Sequence, residues 1–148
     1  MCERDRNDLF FTCSLIEQLG RDLHAKRGEV ARTLGLDGVR LIFDHADVFH
    51  CEPIIKVSDD IQREFSLVPG DFDNVQNAKF AVPSVWTIGK VYARLIEDVC
   101  GENDVAETIL AVYTSWIDEA LSNYNTAFYY QPRDYIAECY REGQMLDD

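Results

Sequence analysis

The stretch from Pro83 to Gly101 constrains the fold more than any other part of the chain. Pro83 ends whatever precedes it, and the Ser84 hydroxyl can cap a helix by accepting a free backbone N–H. Gly101 suits the left-handed position that follows a helix. About half of the helical wheel between them is apolar, comprising Val85, Ile88, Val91, Tyr92, Leu95, Ile96 and Val99. The stretch predicts a central helix, residues 84–99, on which the other elements pack.

Apolar residues recur at threes and fours in most of the remaining chain, which is typical of amphipathic helices. Residues 66–82 lack this period and contain the turn signal Pro69-Gly70-Asp71, so they are predicted to be one long irregular loop. The predicted fold is an all-α single domain, residues 1–148, built as a bundle of six or seven helices. The other helices are predicted over residues 8–26, 29–35, 39–52, 53–65, 103–123 and 132–143.

The length and composition agree with one self-sufficient domain. A chain of 148 residues can bury enough apolar surface to fold without a metal or a disulfide. No apolar run approaches the ~20 residues of a membrane span, and the charged amino terminus does not resemble a signal peptide. Five cysteines without a C-x-x-C pair indicate free thiols. These features predict a cytoplasmic protein that does not associate with membranes.

The charge is strongly acidic, with a formal net charge of −13. Residues 1–40 carry seven basic and seven acidic side chains, so the whole excess lies in residues 41–148. An acidic body repels nucleic acid and anionic membranes, and it favours basic partners.

Residues 27–50 nevertheless have the spacing of small, glycine and apolar residues that is typical of a helix-turn-helix, with Gly35 at the turn. A recognition helix presents basic and polar side chains to the bases. The helix after Gly35 is instead apolar on one face and carries Asp44 and Asp47 elsewhere. DNA binding through residues 27–50 is therefore kept as a second alternative, and an ordinary helical hairpin is preferred.

The chain offers no recognisable catalytic or metal-binding motif. Residues 44–52 contain six possible metal ligands, namely Asp44, His45, Asp47, His50, Cys51 and Glu52. The two histidines, however, are five residues apart rather than the four of a chelating pair. The sequence lacks a glycine-rich phosphate loop, a nucleophile elbow and a framed carboxylate pair. No catalytic residue, metal or cofactor is predicted, and a non-catalytic role is favoured.

An aromatic run near the carboxyl end is one candidate for binding. Tyrosine combines a large apolar ring with a hydroxyl, which suits surfaces that are dry only part of the time. The run therefore indicates a docking surface or the rim of a groove, or alternatively a lid that packs on the bundle. The candidate residues in it are Tyr124, Phe128, Tyr129 and Tyr130.

A second candidate is the pair Lys90 and Arg94, one turn apart on the polar side of the central helix and close to Trp86. In so acidic a chain, two stacked cations suit an anionic ligand or the carboxylates of a partner. The alternative is an internal pairing with Glu97, with Asp98 or with a carboxylate of the 71–73 loop, which contributes little stability if exposed.

Several segments together resemble a group of small uncharacterised bacterial cytoplasmic proteins with no assigned activity, some of which resemble accessory proteins of toxin–antitoxin type. The resemblance implies a bacterial cytoplasmic setting and transfers no site residue. It spans most of the chain and rests on Phe11-Thr-Cys-Ser-Leu-Ile-Glu17, Ala46-Asp-Val-Phe-His-Cys-Glu52, Gly70-Asp-Phe-Asp-Asn-Val75, Pro83-Ser-Val-Trp-Thr-Ile-Gly-Lys-Val-Tyr92 and Tyr124-Asn-Thr-Ala-Phe-Tyr-Tyr130.

Taken together, the sequence favours an acidic helical protein that acts by binding another protein, as a regulatory or antitoxin-like factor. The alternative is a small-molecule-binding or hydrolytic domain with its site between the 84–99 helix and the 66–82 loop. The candidate partner- or ligand-binding residues are Trp86, Lys90, Arg94, Tyr124, Phe128, Tyr129 and Tyr130.

Overall fold

A computed structural model describes residues 1–146, which contain helices and no strand. The prediction of an all-α fold is confirmed. Residues 1–146 contain eight α-helices, compared with the seven predicted ranges. The predicted helices 39–52 and 103–123 are each divided in two, while the predicted helix 29–35 and the first part of 39–52 are joined in one element. The elements are α1 (Glu3–Leu23), α2 (Arg27–Asp44), α3 (Ala46–Phe49), α4 (Ile54–Glu64), α5 (Val85–Cys100), α6 (Val105–Tyr113), α7 (Ile117–Leu121), a 3-10 turn (Phe128–Tyr130) and α8 (Arg133–Glu142).

The core is built on the pair of helices α1 and α5. Helix α1 contacts α2, α3, α4 and α5, while α5 also contacts α6, α8 and the 3-10 turn. The two helices approach closely at Gly89, where an added Cβ would lie 2.1 Å from the Ser14 Oγ and 2.8 Å from the Ser14 Cα. Only a residue without a side chain fits there, so Gly89 sets the distance between the two central helices.

The predicted central helix is confirmed, including both of its ends. The Ser84 Oγ accepts the Thr87 N–H at 3.1 Å, which is the predicted cap. The helix ends at Cys100, and Gly101 has a φ of 57°. The predicted apolar face is largely buried, with Ile88, Tyr92, Leu95 and Ile96 each at most 1% exposed.

Gly35 breaks the second helical region as its sequence predicts. Its φ of 68° and ψ of −179° are not helical, although the segments on both sides are. Helix α2 is therefore two short helices that meet at a kink. The predicted first helix differs at both ends, since α1 starts at Glu3 and stops at Leu23, where His24 adopts a left-handed conformation.

The prediction of one continuous helix over residues 103–123 was wrong. Asp104 caps α6 by accepting the Glu107 N–H at 3.0 Å, but α6 ends at Tyr113. The Thr114 hydroxyl donates to the Leu110 carbonyl at 2.7 Å and the Ser115 hydroxyl donates to the Val112 carbonyl at 2.7 Å. Such bonds from side chain to backbone compete with the helical ladder, and the chain turns before α7 begins.

Residues 66–82 contain neither helix nor strand, as predicted. Backbone bonds nevertheless tie this loop to the end of α1, because the Gly70 N–H donates to the Leu23 carbonyl and the Phe72 N–H donates to the His24 carbonyl, both at 2.8 Å.

Within residues 1–146 no helix combines the length and apolar character needed to cross a membrane.

Candidate functional site

The two cations predicted as a site line a groove formed by α5, the 3-10 turn and α8. We call this the basic groove. Its volume is about 310 Å³. Lys90 and Arg94 form one wall, and Tyr129 and Tyr130 form the facing wall. The remaining lining residues are Thr87, Val91, Leu95, Gln131, Arg133 and Ile136.

The carboxylates nearest in sequence to these cations are engaged elsewhere. Glu97 accepts from the Arg6 Nε at 3.0 Å. Asp98 accepts two bonds from Arg133, at 3.0 and 2.7 Å. Neither Lys90 nor Arg94 has a carboxylate oxygen within 4.0 Å among residues 1–146. The internal pairing considered from the sequence is therefore absent from this part of the chain.

The aromatic run divides between the interior and the surface. Tyr124 and Phe128 are only 3% and 6% exposed, so they belong to the core rather than to a docking surface. Tyr130 is 67% exposed, and its ring stands edge-on to Tyr129 with centroids 5.0 Å apart. The first half of the run therefore packs in the core, and its second half lines the basic groove.

Trp86 lies one turn before Lys90 but faces a different groove, which we call the acidic groove. Its volume is about 820 Å³, and it lies between the start of α1, the α3–α4 corner and Trp86. The Trp86 ring packs against Phe10 with centroids 5.7 Å apart. The structure thus separates Trp86 from Lys90 and Arg94, which the sequence had grouped in one surface.

A buried polar network lies behind the basic groove. Arg27, with no exposed surface, donates to the two Glu17 carboxylate oxygens at 3.0 and 2.8 Å. Arg21 donates to the same carboxylate at 2.8 Å, and the Tyr124 hydroxyl also donates to it. Asn74 of the loop accepts from Arg27 at 3.0 Å and donates to the Ser122 carbonyl at 2.8 Å. The network joins α1, α2, the loop and the segment after α7.

These contacts shift the pKa values of the network. Burial acts to raise the pKa of the Glu17 carboxyl, but the charges of Arg27 and Arg21 outweigh it and the pKa is lowered. Burial, reinforced by the Glu17 charge, raises the pKa of the Tyr124 hydroxyl to about 12. The network therefore holds an ionised carboxylate beside a neutral phenol.

A second buried carboxylate caps α2 from a distance. The Asp118 Oδ2 accepts the Gly28 N–H at 2.9 Å, and its Oδ1 accepts the Tyr92 hydroxyl at 2.6 Å. Burial raises the pKa of the Asp118 carboxyl, although these two hydrogen bonds act in the opposite direction. The N-terminus of α2 thus receives from α7 the negative partner that Lys26, the residue at its own cap position, does not supply.

Protein-family profiles, curated proteins and solved structures were all compared with this chain, and none matches.

The other sequence candidates do not converge into a site. Within residues 1–146, no group of three or more His, Cys, Asp or Glu side chains is arranged to hold a metal. The His45 Nδ1 instead lies 2.9 Å from the Leu41 carbonyl, and the Cys51 thiol donates to the Asp47 carbonyl. Burial raises the pKa of the Cys13 thiol to about 12, which leaves it a packing residue rather than a nucleophile.

The residues on which the two alternative functions depend, in segment 27–50 and in the loop 66–82, do not have the neighbours that those functions require. The cations of residues 27–50 are each paired, Arg27 with Glu17, Arg32 with Glu29 and Arg40 with Asp104. This segment therefore offers phosphate groups no unpaired Lys or Arg of its own. The loop 66–82 faces residues 119–125 across a small cavity, rather than facing Lys90 and Arg94.

Sequence reasoning missed the buried network. The signal for Glu17 was present, because it lies four residues after Cys13 and three before Gly20, on the apolar stripe of α1. A charge on such a stripe predicts a buried partner. Its partner Arg27 carried no comparable signal, because only the tertiary fold brings the start of α2 against this face.

Proposed function

We propose that this protein is non-catalytic and acts by binding an acidic segment of another protein in the basic groove. In this proposal it is a small regulatory factor of antitoxin-like type, working in the bacterial cytoplasm. The observation that carries the proposal is that Lys90 and Arg94 lie side by side without an ion-pair partner among residues 1–146, in a chain with a large excess of carboxylates.

The excess makes unpaired cations informative. The chain has 27 acidic and 14 basic side chains, so carboxylates are abundant around every cation. Ten of the 14 Lys and Arg side chains pair within 4.0 Å with a carboxylate of residues 1–146. Lys26, Lys79, Lys90 and Arg94 do not, and the last two are one turn apart on one helix. Their positive potential is available to an external anion.

The rest of the groove has the composition of a binding surface. The Tyr129 and Tyr130 hydroxyls make no hydrogen bond with residues 1–146, and Tyr130 is largely exposed. Beneath them, the apolar side chains of Val91, Leu95 and Ile136 contribute to the lining. Tyrosine and arginine beside an apolar floor are enriched where binding energy concentrates in protein interfaces. An acidic segment with an aromatic or aliphatic anchor would satisfy both parts.

The size of the basic groove also supports a second candidate, a small anionic ligand. A volume of about 310 Å³ is at the lower end of the range of small-molecule sites, which is roughly 300–1,000 Å³. Arginine and lysine at one wall would hold a carboxylate or phosphate group, and the tyrosines would cover an apolar portion. Native mass spectrometry of the purified protein distinguishes this candidate by detecting a bound small molecule.

The test is a double charge reversal, Lys90→Glu/Arg94→Glu. A synthetic peptide that alternates Glu and Phe serves as the defined probe, and capture of partners from a bacterial lysate runs in parallel. We expect peptide affinity to fall at least about tenfold, because two attractive charges become repulsive. The partner captured by the unmodified protein should also be lost from the same variant.

The matched control is Arg63→Glu/Lys79→Glu, which changes the net charge equally at exposed positions outside the basic groove. This control should retain both the peptide and the partner. An equal loss in the two variants would assign the effect to net charge and reject the groove. Tyr129→Ala/Tyr130→Ala tests the facing wall, and unchanged binding in that variant would remove the tyrosines from the proposed surface.

A further inference from the structure

The acidic groove has an apolar floor that is open to solvent. Phe10, Trp86 and Ile54 contribute to this floor, and Trp86 is 43% exposed. The Trp86 indole N–H donates no hydrogen bond to any side chain or carbonyl of residues 1–146. An exposed tryptophan in a cavity of about 820 Å³ can accept several apolar side chains of a partner.

The rim of this groove is mainly negative. Glu3, Asp8, Asp47 and Glu52 lie on it with Arg4 and His50 as the basic groups. Arg4 lies between two of the carboxylates, 3.9 Å from Asp8 and 3.4 Å from Asp47, so one cation is shared by two anions. Partial burial raises the pKa of the Asp8 carboxyl, an effect that Arg4 opposes and Asp47 reinforces. Glu52 pairs with Lys56 at 3.1 Å, and Lys56 is shared in turn with Asp60. The carboxylates of the rim therefore still outnumber the cations that pair with them.

We propose that the acidic groove binds a cationic amphipathic helix of a partner protein. The apolar face of that helix would cover Trp86 and Phe10, and its Lys and Arg side chains would reach the carboxylates of the rim. Grooves with an apolar floor recognise helices through anchors at positions i, i+3 or i+4, and i+7. The net charge of −13 adds long-range attraction for a basic segment.

The charge of the rim selects this occupant over two others. A second copy of this chain would bring the same acidic rim against itself, which repels. An anionic membrane would be repelled in the same way, whereas a basic helix is attracted. The proposal uses residues that do not line the basic groove, so it stands or falls independently of the proposed function.

Trp86 supplies the readout. The chain has two tryptophans, so Trp116→Phe leaves Trp86 as the sole indole. The substitution removes a buried N–H that has no hydrogen-bond partner among residues 1–146. The probe is a synthetic helical peptide of Leu and Lys, with Leu at the i, i+3, i+4, i+7 spacing. We expect a saturable blue shift of the Trp86 emission as the ring leaves water. A scrambled peptide of identical composition and a Leu and Glu peptide should bind at least about tenfold more weakly.

Charge reversal locates the binding. In the Trp116→Phe background, Asp47→Lys/Glu52→Lys should weaken the Leu and Lys peptide about tenfold. Asp59→Lys/Glu64→Lys makes the same change of net charge at exposed carboxylates of α4 that do not line the groove, and should weaken it less than about threefold. Lys90→Glu/Arg94→Glu should not weaken it.

Three results would overturn the proposal. An equal loss of peptide affinity in Asp47→Lys/Glu52→Lys and Asp59→Lys/Glu64→Lys would show that binding depends only on net charge. Equal affinity for the scrambled peptide would show that the groove does not recognise a helix. Concentration-dependent dimerisation in sedimentation, abolished by Trp86→Ala, would show that a second copy occupies the groove instead.

Discussion

Glu17 connects the interior of the molecule to its candidate binding surface. Its carboxylate receives hydrogen bonds from Arg27, Arg21 and Tyr124. Tyr124 in turn packs edge-on against Tyr129, with ring centroids 5.9 Å apart. A buried ion pair adds little net stability compared with a well-packed apolar pair, but removal of one partner is costly. We infer that the network fixes the segment that carries Tyr129 and Tyr130 relative to α5.

The pKa of Glu17 makes stability depend on pH. The folded-state pKa lies below the ordinary value of 4.5, because the adjacent arginines outweigh the effect of burial. The stabilisation is therefore complete above about pH 4.5, and it is lost as the pH falls through the lower folded pKa. Glu17→Gln should be about 3 kcal/mol less stable than the unmodified protein at pH 7, since Arg27 remains buried without its counter-charge. Urea unfolding at a series of pH values from 7 downward measures the free energy of unfolding of both proteins. Sucrose can be added to both if the variant is only marginally stable.

The two curves should converge at low pH, because a protonated glutamic acid and a glutamine have nearly the same shape and charge. A constant difference between them down to strong acid would mean that Glu17 does not titrate in this range, and would contradict the assignment. Asp118 contributes the opposite slope, since its folded pKa is raised and its stabilisation is lost as the pH rises. Because Asp118 is present in both proteins, its contribution cancels when the Glu17→Gln stability curve is subtracted from that of the unmodified protein.

At the scale of helices, the sequence predicted those features that depend only on residues close to one another in the chain. The cap at Ser84, the stripe of α5 and the break at Gly35 all depend on neighbours in sequence, and all are found. The prediction of a continuous 103–123 helix was wrong: α6 ends at Tyr113, and the next two hydroxyls, of Thr114 and Ser115, donate to backbone carbonyls. The structure brings Lys90 and Arg94 together with Tyr129 and Tyr130, which the sequence analysis had grouped. It places Trp86 in the other groove, packed against Phe10 of α1, and local signals do not predict such a contact between distant segments.

The contact between α1 and α5 gives a prediction for Gly89→Ala. Alanine favours a helix by about 1 kcal/mol relative to glycine, so an isolated helix α5 would gain stability. In the folded protein the new methyl group would lie 2.8 Å from the Ser14 Cα and N, and the helices must separate. We expect a net loss of about 1–3 kcal/mol in urea unfolding.

Ser14→Ala is the control for this substitution. The Ser14 Oγ is buried and has no hydrogen-bond partner among the described residues 1–146, so its removal alone should leave stability unchanged or slightly increased. It should not rescue Gly89→Ala, because the clash with the Ser14 backbone remains. Full rescue would show that only the hydroxyl, and not the helix spacing, limits residue 89.

Across the whole molecule, charge is distributed unevenly along one side of α5. Trp86 lines the acidic groove, whereas the next residue, Thr87, lines the basic groove together with Lys90, one turn after Trp86. Arg6 and Arg133 lie with Lys90 and Arg94 around a further small cavity that also includes Phe10. The two grooves thus adjoin one cluster of cations, while most of the surrounding surface is acidic. A partner that carried an acidic segment and a basic helix could engage both grooves at once.

The same excess of negative charge predicts how salt affects stability. Carboxylates that repel one another across the surface destabilise the compact state, and this long-range repulsion is screened as the Debye length falls from about 30 Å at 0.01 M to about 3 Å at 1 M salt. The short surface ion pairs are screened as well, but each contributes only about 0–1 kcal/mol. We expect the thermal midpoint to rise by about 3–5 °C between these concentrations of sodium chloride, measured by circular dichroism. Asp59→Asn/Glu64→Gln removes two carboxylates of α4 that have no ion-pair partner in the described part of the chain, and should raise the midpoint at low salt and reduce its dependence on salt. A midpoint that falls as salt is added would mean that the stabilisation from local ion pairs outweighs the repulsion from the net charge, and would contradict this prediction.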